Sequence, residues 1–418
     1  MSNAAAYRTE FSRGWTIVLA AAVGTAFGIS ALPFYTLGVF VKPIAADTGW
    51  TREKVQLGFL AQMVGMLAVG WAYGIATDRI GARKVALWSQ VGLGIGLMGI
   101  GFVGGDSRVW LAAWFMMSLL GAGTSPITWT RGIAGWFDGA RGAAFGLALV
   151  GTGLTGLVAP VLLTPVIAEQ GWRAGYIAMG ASVILVALPI IALLFRDRPV
   201  APGAAPQVLT GASRAEGVRS WRFWVLLIVI GVVSFGVGGL IPNLVPMLTD
   251  HGLTPAQAAG FAGMAGLSVM TGRVVAGFLL DRFWAPAIAV VFLTLPAISC
   301  LLLAGGALPS PVLIGTAAAL IGLAAGAEFD LVAFMVSRYF GMKNYGFLYS
   351  LQTLAMMFFA GIAPPVFGRI YDSAGSYDPI LTAVGIGFLA APLLLLTLGR
   401  YPAFAAAEAP TGAKAVAA

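Results

Sequence analysis

Arg273, Glu328 and Asp330 lie deep inside apolar stretches, where an ionised side chain has to be matched by a partner, by water or by cargo. A guanidinium near the centre of a bilayer costs at least about 2.5–3.5 kcal/mol on insertion scales. At about 1.5 Å per helical residue, Arg273 sits roughly 12 Å from Asp281 at the end of its stretch. By the same rise Glu328 and Asp330 sit about 15 and 12 Å from Arg338. Two acids two residues apart on a helix point about 200° away from each other, so both cannot face Arg273 equally, and one is its expected partner. The trio is either a permanent salt bridge or an anion site. In the second case an organic carboxylate competes for Arg273 and a released acid takes up a proton, a direct route to symport.

Further candidates follow from spacing. Thr124, Thr128 and Arg131 fall at 0, 4 and 7, one helical face that either lines the pathway opposite Arg273 or lets Arg131 snorkel or make a gate contact. Tyr345, Tyr349, Gln352 and Met356 fall at 0, 4, 7 and 11, a polar-aromatic stripe suited to an amphipathic substrate or to helix packing. Asn243 sits beside Pro242 and near Pro246, which free backbone groups that a polar pathway can satisfy. Tyr35 and Trp129 join the substrate candidates, although their types do not set them apart from ordinary interior side chains. One Cys, Cys300, excludes an intrachain disulfide and the usual thiolate metal sites, and the one His, His251, falls in a loop. No His/Asp/Ser constellation lies in the apolar stretches, so no enzyme, cofactor or metal is expected. Gly151, Gly153 and Gly156 read as close helix packing, since no Lys-Ser/Thr follows them as a phosphate loop requires.

The elements that must carry these residues are membrane helices. Of 418 residues, 59% are hydrophobic, 57 more are Gly and only 10% are charged. A mean hydropathy of +0.91 leaves too little polar surface to cover soluble domains. Spanning about 30 Å of hydrocarbon takes about 20 helical residues. Twelve stretches qualify: 15–41, 54–77, 85–105, 109–136, 143–168, 173–195, 221–248, 255–280, 285–306, 310–336, 344–368 and 378–399. The first is too long for a cleavable signal's core and reads as a retained span. The predicted fold is all-α and polytopic, with twelve transmembrane helices in two pseudo-symmetric six-helix bundles. The bundles cover 1–195 and 221–400, joined by a cytoplasmic linker over 196–220 with Pro199, Pro202 and Pro206, and followed by a cytoplasmic tail over 401–418. Placing the N-terminus inside puts 16 of the 24 Lys and Arg on the cytoplasmic side and six outside, with Arg131 and Arg273 inside spans. The net charge of +8 is therefore topological and calls for no nucleic-acid partner.

The halves repeat at an offset of 203. Gly49 and Thr51 map onto Gly252 and Thr254, Gly74 onto Gly277, Asp78-Arg79 onto Asp281-Arg282, and Trp136-Phe137 onto Tyr339-Phe340. A duplicated six-helix unit is the architecture in which two bundles rock about a central site. Between spans 2 and 3, Gly74-Ile-Ala-Thr-Asp78-Arg79-Ile-Gly81-Ala-Arg83-Lys84 resembles the signature loop of the major facilitator superfamily. Ala82 stands where a basic residue is common, and the second copy degenerates after Arg282. Gly74, Asp78, Arg79, Gly81 and Arg83, with Asp281 and Arg282 of the second copy, are the gating candidates.

Four fragments are similar to the monocarboxylate porter family within that superfamily: Phe34-Tyr35 through Gly49-Trp50-Thr51-Arg52, Trp136-Phe137 through Gly146, Gly171-Trp172-Arg173, and Ser337-Arg338-Tyr339-Phe340-Gly341. The resemblance implies that Arg273, on span 8, engages the substrate carboxylate. Animal members carry an Asp one turn earlier, where this chain has Val269, and a Lys near the position of Phe34. Oxalate-type relatives carry a Lys where this chain has Met356. The expected function is secondary transport of a small, monocarboxylate-like organic anion across the inner membrane, by alternating access and proton symport. Arg131 and Arg273 attract the anion, and Glu328 and Asp330 are the proton-carrying candidates. Anion exchange and drug or metabolite efflux are the alternatives. The carrier reads as a functional monomer in the lipid bilayer, with both termini cytoplasmic.

Overall fold

The computed structural model describes residues 3–137, 140–198, 210–280, 282–305 and 310–402. Among these the chain is helical, with an isolated antiparallel bridge between Gly211 and Gly341. The first half holds α1 (Asn3–Ala26), α2 (Leu32–Thr48), α3 (Arg52–Ile80), α4 (Ala82–Gly101), α5 (Ser107–Gly121), α6 (Pro126–Ala134), α7 (Arg141–Ser182) and α8 (Leu188–Leu194). A short helix, α9 (Arg214–Arg219), precedes the second half. That half holds α10 (Trp221–Asp250), α11 (Pro255–Leu280), α12 (Ala285–Leu303), α13 (Pro311–Phe340), α14 (Tyr345–Ala374) and α15 (Asp378–Ala390), closed by a 3₁₀ turn over Pro392–Leu398.

All twelve expected spans fall on helical chain, although nine helical stretches among the described residues are long and apolar enough to cross a membrane by themselves. One of the nine, Arg141–Leu194, holds spans 5 and 6, because the chain reverses at Gly171, whose φ of 84° a side chain would oppose. Span 1 is broken between α1 and α2. There Thr124 Oγ1 accepts from Ile29 N at 2.9 Å and Gln62 Nε2 donates to Ile29 O at 3.0 Å, satisfying backbone groups that the break frees. Span 4 is likewise divided at Ala122–Thr124 between α5 and α6.

Tryptophans near span ends divide by burial. Trp15, Trp88 and Trp221 are exposed, as interface anchors are. Trp110 and Trp172 instead pack with Trp114 and Tyr176 in an edge-to-face cluster inside the first half. Position at a span end does not distinguish these environments; neighbouring helices do.

Small residues set the seam between the halves. A Cβ added to Gly266 on α11 would lie 2.2 Å from Leu157 N and 2.3 Å from the carbonyl carbon of Gly156 on α7. Gly38 of α2 meets Pro242 of α10 in the same way, and Gly368 of α14 meets the start of α3. Gly153 and Gly156 pack against Met270 and Gly266, the close approach that their composition predicts.

Residues 199–209 of the predicted linker and 403–418 of the predicted tail lie outside the described residues. After 209 the chain is docked on the second half: Ala212 N donates to Phe340 O and Met342 N to Thr210 O. A capping box of Ser213 and Glu216 then starts α9.

Candidate functional site

Glycines on α11 and α13 bring the charged residues together. Gly322 and Gly326 of α13 abut the carbonyl oxygens of Ala265 and Val269 so closely that an added Cβ would lie 2.1 Å from each. Gly272 of α11 meets the Leu323 backbone in return. That backbone contact sets Arg273 beside Asp330, with Nε to Oδ2 at 3.8 Å, an ion pair too long for a hydrogen bond. Arg273 has 8% side-chain exposure and Asp330 31%. Among the described residues, Nε and Nη1 of Arg273 are buried without a hydrogen-bond partner.

Glu328, with 4% relative exposure, is held by α10 instead, where Ser234 Oγ donates to its Oε1. The two acids thus diverge as their helical spacing predicts. Tyr35 of α2 stands within electrostatic reach of Arg273 and Glu328, and Tyr349 of α14 within reach of Asp330 and Arg273. The first half therefore contributes Tyr35 to the wall facing Arg273.

Other substrate candidates are placed elsewhere. Arg131 Nη2 pairs with Asp78 Oδ1 at 2.6 Å, with side chains 62% and 55% exposed, at the end of the first half that carries the signature loop. Trp129 is fully buried within that half, donating to Thr124 O and packed on Phe195. The predicted stripe on α14 splits: Tyr345 and Tyr349 stack with centroids 5.4 Å apart, while buried Gln352 donates to Phe223 O at 3.0 Å and so ties α14 to α10.

Asn243 belongs to a second cluster, at the end of the molecule opposite the signature loop. Its Oδ1 accepts from Gln56 Nε2 of α3 at 2.7 Å and from Tyr377 OH at 3.2 Å. Beyond it Arg52 forks onto Asp250, at 2.6 and 2.7 Å, donates to Tyr377 OH at 2.9 Å and lies 3.6 Å over the Tyr371 ring. Lys42 reaches the same Asp250 at 3.0 Å, and Asp372 accepts the backbone N–H groups of Arg52 and Glu53 at the start of α3. Apart from the Tyr377–Asn243 bond, which lies within the second half, these contacts join one half to the other. Nearby, Asp47 accepts from Trp172 and Arg173 within the first half, and those two donors, Trp172 first, hold its carboxyl below the usual carboxylate range.

At the signature-loop end the observed ties stay within a half. Arg83 N donates to Asp197 at 3.1 Å and its Nη2 to Ala192 O at 2.7 Å; Gly81, at φ 93°, lies against the same Asp197. Arg79 is exposed, and a Cβ on Gly74 would meet nothing within 4 Å. Arg282 lies 3.5 Å over Phe278 and donates to its carbonyl, and Asp281 lies outside the described residues. Among the described residues no group of three or more His, Cys, Asp or Glu could hold a metal ion.

Sequence reasoning missed Arg52, Asp250, Tyr377, Gln56, Ser234 and Asp197. One signal was available: at the offset of 203 Asp250 is the counterpart of Asp47, so the repeat itself marks it. Arg52, counted only as a topogenic charge, has Pro255 as its counterpart, and nothing in the sequence pairs it with Asp250.

The sequence model of the Major Facilitator Superfamily matches residues 23–364. The chain is 26% identical to mouse (Mus musculus) monocarboxylate transporter 11, over 93% of this chain and 88% of that protein. It is also 26% identical to the oxalate:formate antiporter of Oxalobacter formigenes, over 88% of each. Its fold is similar to the crystal structure of a bacterial homolog of the human lysosomal transporter Spinster, inward-facing and occupied, with a TM-score of 0.64 at 17% identity over 94% and 95% of the two chains.

Proposed function

Because the chain belongs to the Major Facilitator Superfamily, whose members are transporters rather than enzymes, we propose that it carries a small, monocarboxylate-like organic anion across the inner membrane by alternating access, coupled to protons. The observation that carries this reading is Arg273, with two buried donor nitrogens that no side chain or carbonyl among the described residues satisfies. An unsatisfied buried charged donor costs more than the ~1–3 kcal/mol of a neutral one, and a carboxylate offsets that cost by accepting charge-assisted hydrogen bonds from the guanidinium. The similarity to monocarboxylate and oxalate:formate transporters supports the same class of cargo.

Arg273 has its counter-ion on α13 rather than one turn earlier on α11, where Val269 stands. Cargo that binds Arg273 displaces that carboxylate, which then accepts a proton from water on the side of entry and returns it on the side of release. Glu328 and Asp330 are the acids available for this step. The 16 to six distribution of basic residues supports placing the signature loop and both termini in the cytoplasm. The Arg52–Asp250 cluster then closes the external end, and the carrier faces inward. Arg131, held by Asp78 at the cytoplasmic end, belongs with the gating loop rather than the cargo.

Exchange of two anions is the second reading, and the Arg273–Asp330 pair favours symport over it. An empty carrier with an internal counter-ion can reorient without an unmatched charge, whereas a strict exchanger needs none. The test is thermal shift and uptake in proteoliposomes with formate, oxalate, lactate, pyruvate and benzoate, for wild type and Arg273→Gln. The expected loss in affinity is about a hundredfold, from two charge-assisted hydrogen bonds at ~1.5 kcal/mol each. An unchanged response in the variant refutes the assignment, and counterflow that never becomes net uptake under a pH gradient favours exchange.

A further inference from the structure

Ser234 is an unassigned hydroxyl within the charged cluster. It is buried on α10, and its Oγ–H donates to Glu328 Oε1. The titratable groups that face the two acids are Arg273 from α11, Tyr349 from α14 and Tyr35 from α2. From α10 comes the Ser234 hydroxyl, and α12 meets α13 through Ser299, which donates to Ala317 O at 2.9 Å. Of the two acids, Asp330 ion-pairs with Arg273 and Glu328 is held from the other side by Ser234. Glu328 leaves α13 about 200° from Asp330, but Glu328 and Arg273 both lie within electrostatic reach of Tyr35, so the two long side chains can compete across that shared neighbour, and the Ser234 hydrogen bond opposes the rotamer change this needs.

Resting on the anion-carrier reading above, we propose that Ser234 is a positioning residue: it keeps Glu328 away from Arg273, so that Asp330 alone yields to cargo and takes the coupled proton. Glu328 is then a fixed tie between α10 and α13. In the step itself, the Arg273–Asp330 ion pair opens, cargo carboxylate takes the place of Asp330, and one O–H bond forms on Asp330 as one breaks in a hydronium ion on the side of entry, leaving neutral water; the reverse sequence releases cargo and proton.

The experiment uses the full chain in proteoliposomes and whichever of formate, oxalate, lactate, pyruvate and benzoate gives the largest wild-type counterflow. Counterflow reports anion exchange, and accumulation under a pH gradient reports proton coupling. Asp330→Asn is expected to lose accumulation while counterflow persists, and Glu328→Gln to lose less accumulation than Asp330→Asn does. Ser234→Ala is expected to raise KM about tenfold as freed Glu328 competes for Arg273, the scale of one redirected charge-assisted hydrogen bond. Ser234→Thr restores KM, and so does adding Glu328→Gln to Ser234→Ala, which a merely structural role for the hydroxyl would not produce. A double variant no better than Ser234→Ala, or loss of accumulation in Glu328→Gln with Asp330→Asn intact, overturns the assignment but leaves the anion carrier standing. A wild type without anion counterflow overturns both.

Discussion

At Arg273 the guanidinium is fixed by what surrounds its backbone. Gly326 lets α13 approach until an added Cβ would lie 2.1 Å from Val269 O and 3.0 Å from Arg273 N. Gly326→Val is therefore expected to push the two helices apart and lower stability by about 1–3 kcal/mol. A lower melting temperature in detergent, with the anion-induced thermal shift also lost, checks this; an unchanged melting curve contradicts the packing account. The head group matters separately from the charge. Arg273→Lys keeps the cation and loses the planar fork, so it is expected to bind the anion about tenfold more weakly than wild type and better than Arg273→Gln. Titrating anion-induced thermal shift for the three proteins ranks them; equal affinities in Lys and Arg forms would leave only a point charge at work. Arg273, Glu328 and Asp330 were legible as buried charges in need of partners because charge in an apolar run is costly wherever the helices go. Which acid faces the arginine was not, since rotation of α13 against α11 is decided by Gly322 and Gly326 meeting one particular neighbour.

At the scale of elements, the starts of α3 and α10's far end are where the halves are most heavily bonded. Arg52 is nearly buried, forks onto Asp250, reaches Tyr377 and covers Tyr371. Removing its charge leaves Asp250 with Lys42 alone among these partners, so Arg52→Gln is expected to weaken this closure by about 1–3 kcal/mol, the scale of hydrogen bonds to a charged group in a part-buried pair. Cysteine probes placed at the seam near Gln56 should then label faster from the external side. No change in labelling would mean that the seam of Gly38, Gly266 and Gly368 holds this end closed unaided. Helix existence was written in apolar run lengths, and the divisions of spans 1 and 4 were not. In the break of span 1, Thr124 and Gln62 come from other spans to satisfy the freed backbone groups of Ile29.

For the whole molecule, orientation rests on 16 basic residues against six. A reporter active only in the cytoplasm is expected to work when fused after Ala418 and to fail when inserted beside Gly105 or Gly375. The reverse pattern would invert the carrier and turn the Arg52 closure toward the cytoplasm. With the predicted orientation, the described ties at the cytoplasmic end, Arg131 to Asp78 and Arg83 to Asp197, each lie within the first half, whereas Arg52 and Asp250 fasten the external end across the halves.

Composition, run length and the repeat at 203 determined an all-helical membrane carrier of two like halves, because transfer into hydrocarbon depends on residue type and length alone. They also determined that Arg273 needs a partner. Tertiary structure decided that Arg131 goes to Asp78, that Asn243 serves the closure instead of the cluster around Arg273, and that Ser234 holds Glu328. Those outcomes depend on distances of a few ångströms between helices far apart in sequence, and a linear chain carries no record of them.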